Sequence, residues 1–525
     1  MGFLIPIFTA IVSIGTAVVA AIVAAGPIAI LAATIAVTAV VAYVVTPFLI
    51  PDYGDLGAGG AVGGDGGQEI QQGVLVTRTG SDQAIPVIYG FRKAGGIITF
   101  AETGNTDNKY LYVAYVFCEG AVEGIQDLFI QDFQMPATII EKLNAGQIVD
   151  VDEGKYSGRA KLQFFQGQFF PNAGDSTIGS QSILGDAPSW STDMTYNGLA
   201  VMFARFEWKA VETQEEADDN PFGGSIPELQ ATILGKKIAD ATSPNASGYA
   251  YDAAPVRYSS NPVDHLMDYL RNPRYGKGLR NSDFDWPSFK RAALKCNTVV
   301  QYIDSGTQGP ILTSNVVIDT AQKLLTNTKS LLSNFRAYMP DVAGKYKLKI
   351  EDAGDPDDIL SGVATIVNTF DEDNIIGNIV YTGIERSAKY TSVKVGYIDP
   401  DKKWSRAEVV YPESAQDRQV YINEDNGRIN QGETSFIGIT NYAIAKDMAR
   451  LIFNKSRFQE SCSLKVSSEG IELEPGDNIY IQSKLLNFGT IPWRVVSISI
   501  NADMTVDLAC VRNKDDIYPH TRVGE

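Results

Sequence analysis

From Phe3 to Pro51 the chain carries no Asp, Glu, Lys, Arg or His. Within that stretch, residues 7–25 and 28–46 are two runs of 19 residues without a charge, parted by Gly26-Pro27. A helix needs about 20 apolar residues to cross ~30 Å of hydrocarbon, so each run has the length of one span. Proline at the start of the second run suits a first helical turn, and glycine before it suits a helix end. The expectation is an apolar helical hairpin over residues 1–51. Its Ala, Val, Ile and Gly side chains let helices pack closely inside a protein bundle as well as in lipid. The first basic residue of the chain is Arg78, so the segment has neither the basic head of a secretory signal nor a charge that would orient it by the positive-inside rule. A protein-packed plug and a membrane anchor fit it equally.

Beyond Pro51 comes Asp-Tyr-Gly-Asp-Leu-Gly-Ala-Gly-Gly-Ala-Val-Gly-Gly-Asp-Gly-Gly67. So glycine-rich a tract reads as a flexible linker over residues 52–67. The remaining length is enough for several domains.

The charge balance excludes one large class of function. With 62 acidic against 44 basic residues the formal charge is −18 at pH 7. Proteins that grip phosphate backbones do so by releasing counterions to clustered Lys and Arg, and this chain would instead repel duplex DNA. Such repulsion suits a conduit through which DNA must slide; ordinary acidic solubility accounts for the same number. The four cysteines, Cys118, Cys296, Cys462 and Cys510, show no CxxC and no zinc-type spacing, and they read as reduced core thiols. His265 and His520 are the two imidazoles of the whole sequence, which leaves little for histidine-based metal sites or general-base catalysis.

From Gln68 the texture changes to short alternating segments punctuated by Gly, Asn, Asp and Pro, the pattern of strands and turns. Residues 74–78, 85–89, 96–100, 110–117 and 199–208 are strand candidates. Asn261-Pro262 opens a helix, with Asn as cap, Pro in the first turn and apolar residues at Val263, Leu266, Met267 and Leu270. Residues 286–296 repeat the pattern behind Asp285, and residues 316–338 read as one or two further helices. Strands return at 345–350, 375–385, 391–397 and 407–411; residues 440–453 read as a helix. Short strands then flank Glu474-Pro-Gly-Asp477, where glycine supplies the positive φ of a tight turn. The fold expected is mainly β with an α+β insert. The expected divisions are β-rich domains over 68–255, a helical insert over 256–345, a second β-domain over 346–430 and a C-terminal β-domain over 431–525.

Several of these pieces, in this order, resemble the tip attachment protein J family of lambda-like phages, the central tail hub. Ile85-Pro-Val-Ile-Tyr-Gly-Phe-Arg-Lys-Ala-Gly-Gly96 is similar to that family's opening strand pair, and Phe117-Cys-Glu-Gly-Ala-Val-Glu-Gly-Ile125 to its second element. Asn261-Pro through Asp268-Tyr-Leu-Arg-Asn-Pro-Arg-Tyr-Gly-Lys-Gly278 is the most specific match, and Glu474-Pro-Gly-Asp477 with Ile517-Tyr518 looks like its end. The resemblance implies tail-tube-like β-barrels, two per subunit, in a homotrimer that forms a pseudo-sixfold ring on the tail tube. It implies a non-enzymatic virion protein at the distal end of the tail, with no cofactor. Its expected partners are the tube or distal tail protein, other tip proteins, the tape measure protein, passing DNA and, through the hairpin, a host membrane. The receptor-binding extension of longer members is expected to be missing. The rival reading is a membrane-anchored surface-binding or glycan-active protein.

Each polar cluster has a functional and a structural reading. Arg271-Asn-Pro-Arg-Tyr-Gly-Lys-Gly278 could touch phosphate or glycan, yet cations, Pro and Gly are also what end a helix. Glu351-Asp-Ala-Gly-Asp-Pro-Asp-Asp358, Glu215-Glu-Ala-Asp-Asp-Asn220 and Asp371-Glu-Asp-Asn374 could supply oxygens to Ca²⁺ but lack EF-hand alternation, and solvated loops account for them. His265 between Asp264 and Asp268 invites a catalytic role; a structural histidine is the simpler reading. Glu119 and Glu123 could be a hydrolase pair, or two ends of a strand and turn. No catalytic, cofactor or metal residue is assigned.

Overall fold

The structure is a computed structural model, and it describes residues 78–79, 83–104, 109–170, 178–207, 221–222, 225–243, 255–302, 307–352, 365–384, 388–458, 460–484, 486 and 488–518. The expected apolar hairpin, the glycine-rich linker, Glu215–Asn220, residues 353–358 and His520 lie outside them. The described chain is mainly β with helices, in several sheets. It forms two compact units. The smaller combines Ile366–Thr382 with Ser461–Arg512, and the larger takes the rest.

In the larger unit a six-stranded sheet runs in the order Arg78–Thr79, Ile97–Gly104, Tyr110–Glu119, Leu199–Glu207, Ala160–Gln166, Ile148–Asp150. A four-stranded sheet runs Phe91–Gly95, Leu229–Lys236, Val122–Ile130, Phe133–Gln134. Strand residues alternate between two faces, and Tyr110–Glu119 is buried on both. Val113, Tyr115 and Phe117 join Ile125, Leu128, Ala231 and Ile233 of the four-stranded sheet in one core. Tyr112, Ala114 and Val116 pack on the other side with Leu184, Val201 and Phe203. That is why this segment reads as a nearly continuous apolar run.

Among the described residues the first α-helix is α1 (Ala137–Asn144), and five more follow it. They are α2 (Pro262–Arg271), α3 (Trp286–Cys296), α4 (Leu324–Ser333), α5 (Ala415–Glu424) and α6 (Tyr442–Phe458). The caps are the ones the sequence announces: Asn261 Oδ1 accepts from Val263 N at 3.0 Å, and Asp285 Oδ2 from Ser288 N at 3.2 Å. A cap of this kind contributes about 1 kcal/mol. Residues 316–338 differ from expectation. Val316–Ile318 is a strand, antiparallel to Val87–Tyr89, and only α4 follows as a helix before Ala337–Tyr338. Three β-branched residues fit that pairing better than a helix turn. A single core joins α2, α3 and α6 to the three-stranded sheet Ser405–Tyr411, Ser392–Asp399, Gln431–Ser435, through residues such as Leu266, Phe289, Val395 and Met448.

The smaller unit is one six-stranded sheet in the order Ile366–Phe370, Asn478–Ile481, Pro492–Ile500, Val506–Arg512, Ser461–Val466, Ile375–Thr382. Its first pair is parallel and the rest antiparallel. The Glu474–Asp477 turn is closed by Asp477 Oδ2, which accepts from Glu474 N at 2.7 Å, with Gly476 at φ 99°. Among the described residues no helix is long and apolar enough to cross a membrane.

Candidate functional site

The residues singled out along α2 converge on one polar cluster in the larger unit. Asp268 Oδ2 accepts from the Tyr89 hydroxyl at 2.5 Å and from the Tyr275 hydroxyl at 3.1 Å. Lys236 Nζ donates to both Asp268 oxygens, at 2.9 and 2.7 Å, and to Tyr275 Oη at 2.7 Å. One carboxylate thus ties together the strand Val87–Tyr89, the strand Leu229–Lys236, α2 and the turn after it. Burial, then the Asp268 charge, raises the Tyr89 hydroxyl well above its ordinary range, and the same two causes raise Tyr275. Both stay protonated and act as donors. The stem of Lys236 passes so close to Gly120 (φ 99°) that a Cβ there would meet it at 2.7 Å.

His265 and Asp264 are committed to the fold as well. The imidazole stacks on Tyr89 with centroids 5.1 Å apart and planes 14° apart. Burial pushes it down to about 4, so it is neutral at pH 7, and its Nε2 donates to the Ser259 carbonyl at 2.8 Å. Asp264 accepts from Ala241 N at 2.9 Å and from Ser259 Oγ at 2.6 Å, while burial pushes its carboxyl up to about 6. A neutral ring whose donor is spent on a carbonyl is poorly placed to take a proton from a substrate.

The cationic turn is internally engaged. Arg274 pairs with Glu119 at 3.3 Å, and Lys277 donates to the Tyr346 hydroxyl. Gly276 is required, since a Cβ would lie 1.6 Å from the Tyr269 carbonyl oxygen. Glu119 and Glu123 meet different cations: Glu123 reaches Lys237 at 3.4 Å, whereas Glu119 meets Arg274. Of the acidic runs, Glu351 and Asp352 are buried against Lys455 at 2.7 Å and Lys295 at 2.9 Å. Asp371 Oδ1 accepts from Asp373 N at 2.9 Å inside a turn, and Glu372 pairs with Lys484 at 3.6 Å. Among the described residues no group of three His, Cys, Asp or Glu side chains is arranged to hold a metal ion. Cys118 is buried, accepts from Ile88 N at 3.2 Å, and is pushed up to about 12 by burial, which keeps it a thiol.

Sequence reasoning reached Asp264, His265, Asp268 and the turn after α2, but missed Tyr89 and Lys236. Tyr89 lies 179 residues from Asp268 and Lys236 lies 32 away, and no local spacing announces either. Among the exposed side chains several are apolar. In the larger unit Phe169 is 68% and Ile429 75% exposed; in the smaller, Ile376 on one edge strand is 44% and Val367 on the other 51%. Edge strands present backbone groups that can pair with another chain.

No family model matches the sequence. The chain is 23% identical over 484 residues to the baseplate hub protein pb3 of Escherichia phage T5, a match that takes in 83% of this chain and 48% of the relative. It therefore spans about half the length of the curated relative it matches. Among solved structures, a chain from the virion of a native gene transfer agent particle superposes with a TM-score of 0.53 at 13% identity, covering 94% of this chain and 98% of the other. Prophage tail protein gp18 from Listeria monocytogenes gives a TM-score of 0.27 at 10% identity, with coverages of 79% and 88%. A virion protein shares the fold, and the sequence likeness, across most of the chain, is to a structural component of a phage baseplate.

Proposed function

We propose that this chain is a structural hub at the distal end of a phage-type tail. It closes the tail tube, organises the surrounding baseplate proteins and lines the channel through which DNA leaves. The observation that carries this reading is the extent of the likeness to a baseplate hub protein, which takes in 83% of this chain. The geometry supports it: the polar clusters that could have served catalysis are spent on internal ties, while apolar side chains stand out on sheet edges and loops. Buried, satisfied networks of this kind rigidify a scaffold.

In this reading the hub is a homotrimer without enzymatic activity or cofactor, seated on the tube or on a distal tail protein and in contact with other tip proteins and the tape measure protein. Three copies carry three times −18 in formal charge, which disfavours adhesion of DNA to the bore. Residues 1–51 supply an apolar plug for the lumen that moves into the host membrane at infection. The test is assembly. Full-length protein mixed with tube protein from its own particle caps one end of the tubes in electron micrographs; tubes with both ends bare contradict the proposal.

A further inference from the structure

All four cysteines are free and buried, as reduced core thiols should be, and the fold brings two of them face to face. Cys462 and Cys510 are directly opposite in the antiparallel register of strands Ser461–Val466 and Val506–Arg512. The next pairs on the same face are Leu464 with Leu508 and Val466 with Val506, all in the core of the smaller unit. Like therefore faces like in three successive layers, and the cysteines form the outermost of them. Directly opposed side chains on antiparallel strands have Cβ atoms about 4.5–5.5 Å apart, and a disulfide needs about 3.5–4.5 Å, so a small local adjustment closes the gap. The neighbouring Cys510 side chain, then burial, raises the Cys462 thiol above its ordinary range.

Access is from one side. The ladder ends one residue further on, at Ser461 opposite Val511, and Ser461 is exposed. On the other flank Cys462 pairs with Tyr381 of the edge strand, which is 41% exposed, its ring against Phe488 and Trp493 at 5.6 and 6.5 Å. Fraying of the strand end and movement of Tyr381 would bring a small reagent to the Cys462 sulfur.

We propose that Cys462 and Cys510 are a latent cross-strand disulfide, held as a dithiol when the protein folds and converted to a covalent staple by a small disulfide oxidant. The deprotonated Cys462 Sγ attacks one sulfur of the oxidant and expels the other as a thiolate, leaving a mixed disulfide. Deprotonated Cys510 Sγ then attacks Cys462 Sγ and expels the second thiolate. The two protons given up by the protein thiols are taken up by the two expelled thiolates, so two protein thiols are oxidised and one oxidant disulfide is reduced to two thiols. The protonated, buried starting state makes the first step slow, limited by opening of the strand end.

The test uses full-length protein purified under reducing conditions and exposed overnight to oxidised glutathione. After unreacted thiols are alkylated in denaturant, non-reducing peptide mapping is expected to show Cys462 joined to Cys510, with Cys118 and Cys296 alkylated. The unfolding temperature of the smaller unit should rise by about 5 °C or more, because the staple closes a long loop in the unfolded chain. Cys510→Ala should abolish the linked peptide and the thermal rise, and Tyr381→Ala should speed linkage severalfold. Complete alkylation of Cys462 and Cys510 overturns the proposal, as does linkage that joins all four cysteines indiscriminately. An unchanged rate in Tyr381→Ala overturns the route of access.

Discussion

The two units are held together by different means. In the larger one charge is taken into the interior: Lys295 meets Asp352 at 2.9 Å, Lys455 meets Glu351 at 2.7 Å, and Lys236 is shared between Asp268 and Tyr275. In the smaller one Arg494 is the one buried charged side chain among the described residues, alternating residues of adjacent strands stack Cys on Cys, Leu on Leu and Val on Val, and the Lys484–Glu372 pair lies at the surface. Buried ion pairs add little net stability but penalise any arrangement that leaves one partner alone. They specify which distant segments must meet. A β-sheet built on apolar alternation specifies register instead, because a slip by one residue turns its core face outward. The larger unit has helices, loops and several sheets to bring into one arrangement, and the smaller has one sheet.

The sharpest way to break this contrast is to remove single partners. Lys295→Met leaves Asp352 buried without its ammonium, and an uncompensated buried charge costs about 3–5 kcal/mol; denaturant titration of the larger unit measures it. Asp268→Asn keeps an acceptor for Tyr89 and Tyr275 but strips Lys236 of its counter-charge, with an expected loss of about 2–3 kcal/mol. Lys484→Ala in the smaller unit should leave its transition where it was, because the pair with Glu372 is exposed. A loss there as large as in Lys295→Met would erase the distinction.

Acid sharpens it further. Folded His265 titrates near 4 against an ordinary 6.5, so between those values the unfolded chain binds a proton that the folded one refuses. Its contribution is complete above pH 6.5 and falls away as pH drops toward 4. Asp264 acts in the opposite sense. Its folded carboxyl titrates near 6 against an ordinary 3.8, so its contribution is present below 3.8 and is lost as pH rises through 6. His265→Gln removes the first of these. From pH 7 down to pH 4 the variant should gain about 2–3 kcal/mol relative to the parent in the larger unit, read from denaturant midpoints at each pH. The smaller unit should show no such difference.

How much of this was legible beforehand depended on distance along the chain. Asn261-Pro262 and Asp285 announce α2 and α3 because a cap acts within three residues. The strand Leu199–Glu207 is announced by its own nearly continuous apolar run. The strand Val316–Ile318 was not, since its partner is Val87–Tyr89, more than two hundred residues away. Nor could the sequence reveal that Ile366–Thr382 and Ser461–Arg512 build one sheet although the stretch of chain between them belongs to the other unit, or that Cys462 faces Cys510. Helix α5 was also unannounced: none of its residues is buried, so it carries no apolar stripe to read. At the polar cluster, α2 shows its own carboxylates and imidazole, but the lysine and tyrosine that satisfy them come from strands whose approach only the fold decides.

The central claim is that this chain is a structural part of a tail, its outward faces made to be covered by neighbouring proteins. A reconstruction of the purified particle tests it most directly. The account expects three copies of this chain around the axis at the distal end of the tail, with Ile376, Val367 and Ile429 buried against other chains. A purified chain that is absent from that density and persists as a lone monomer turning over a polymer would contradict it.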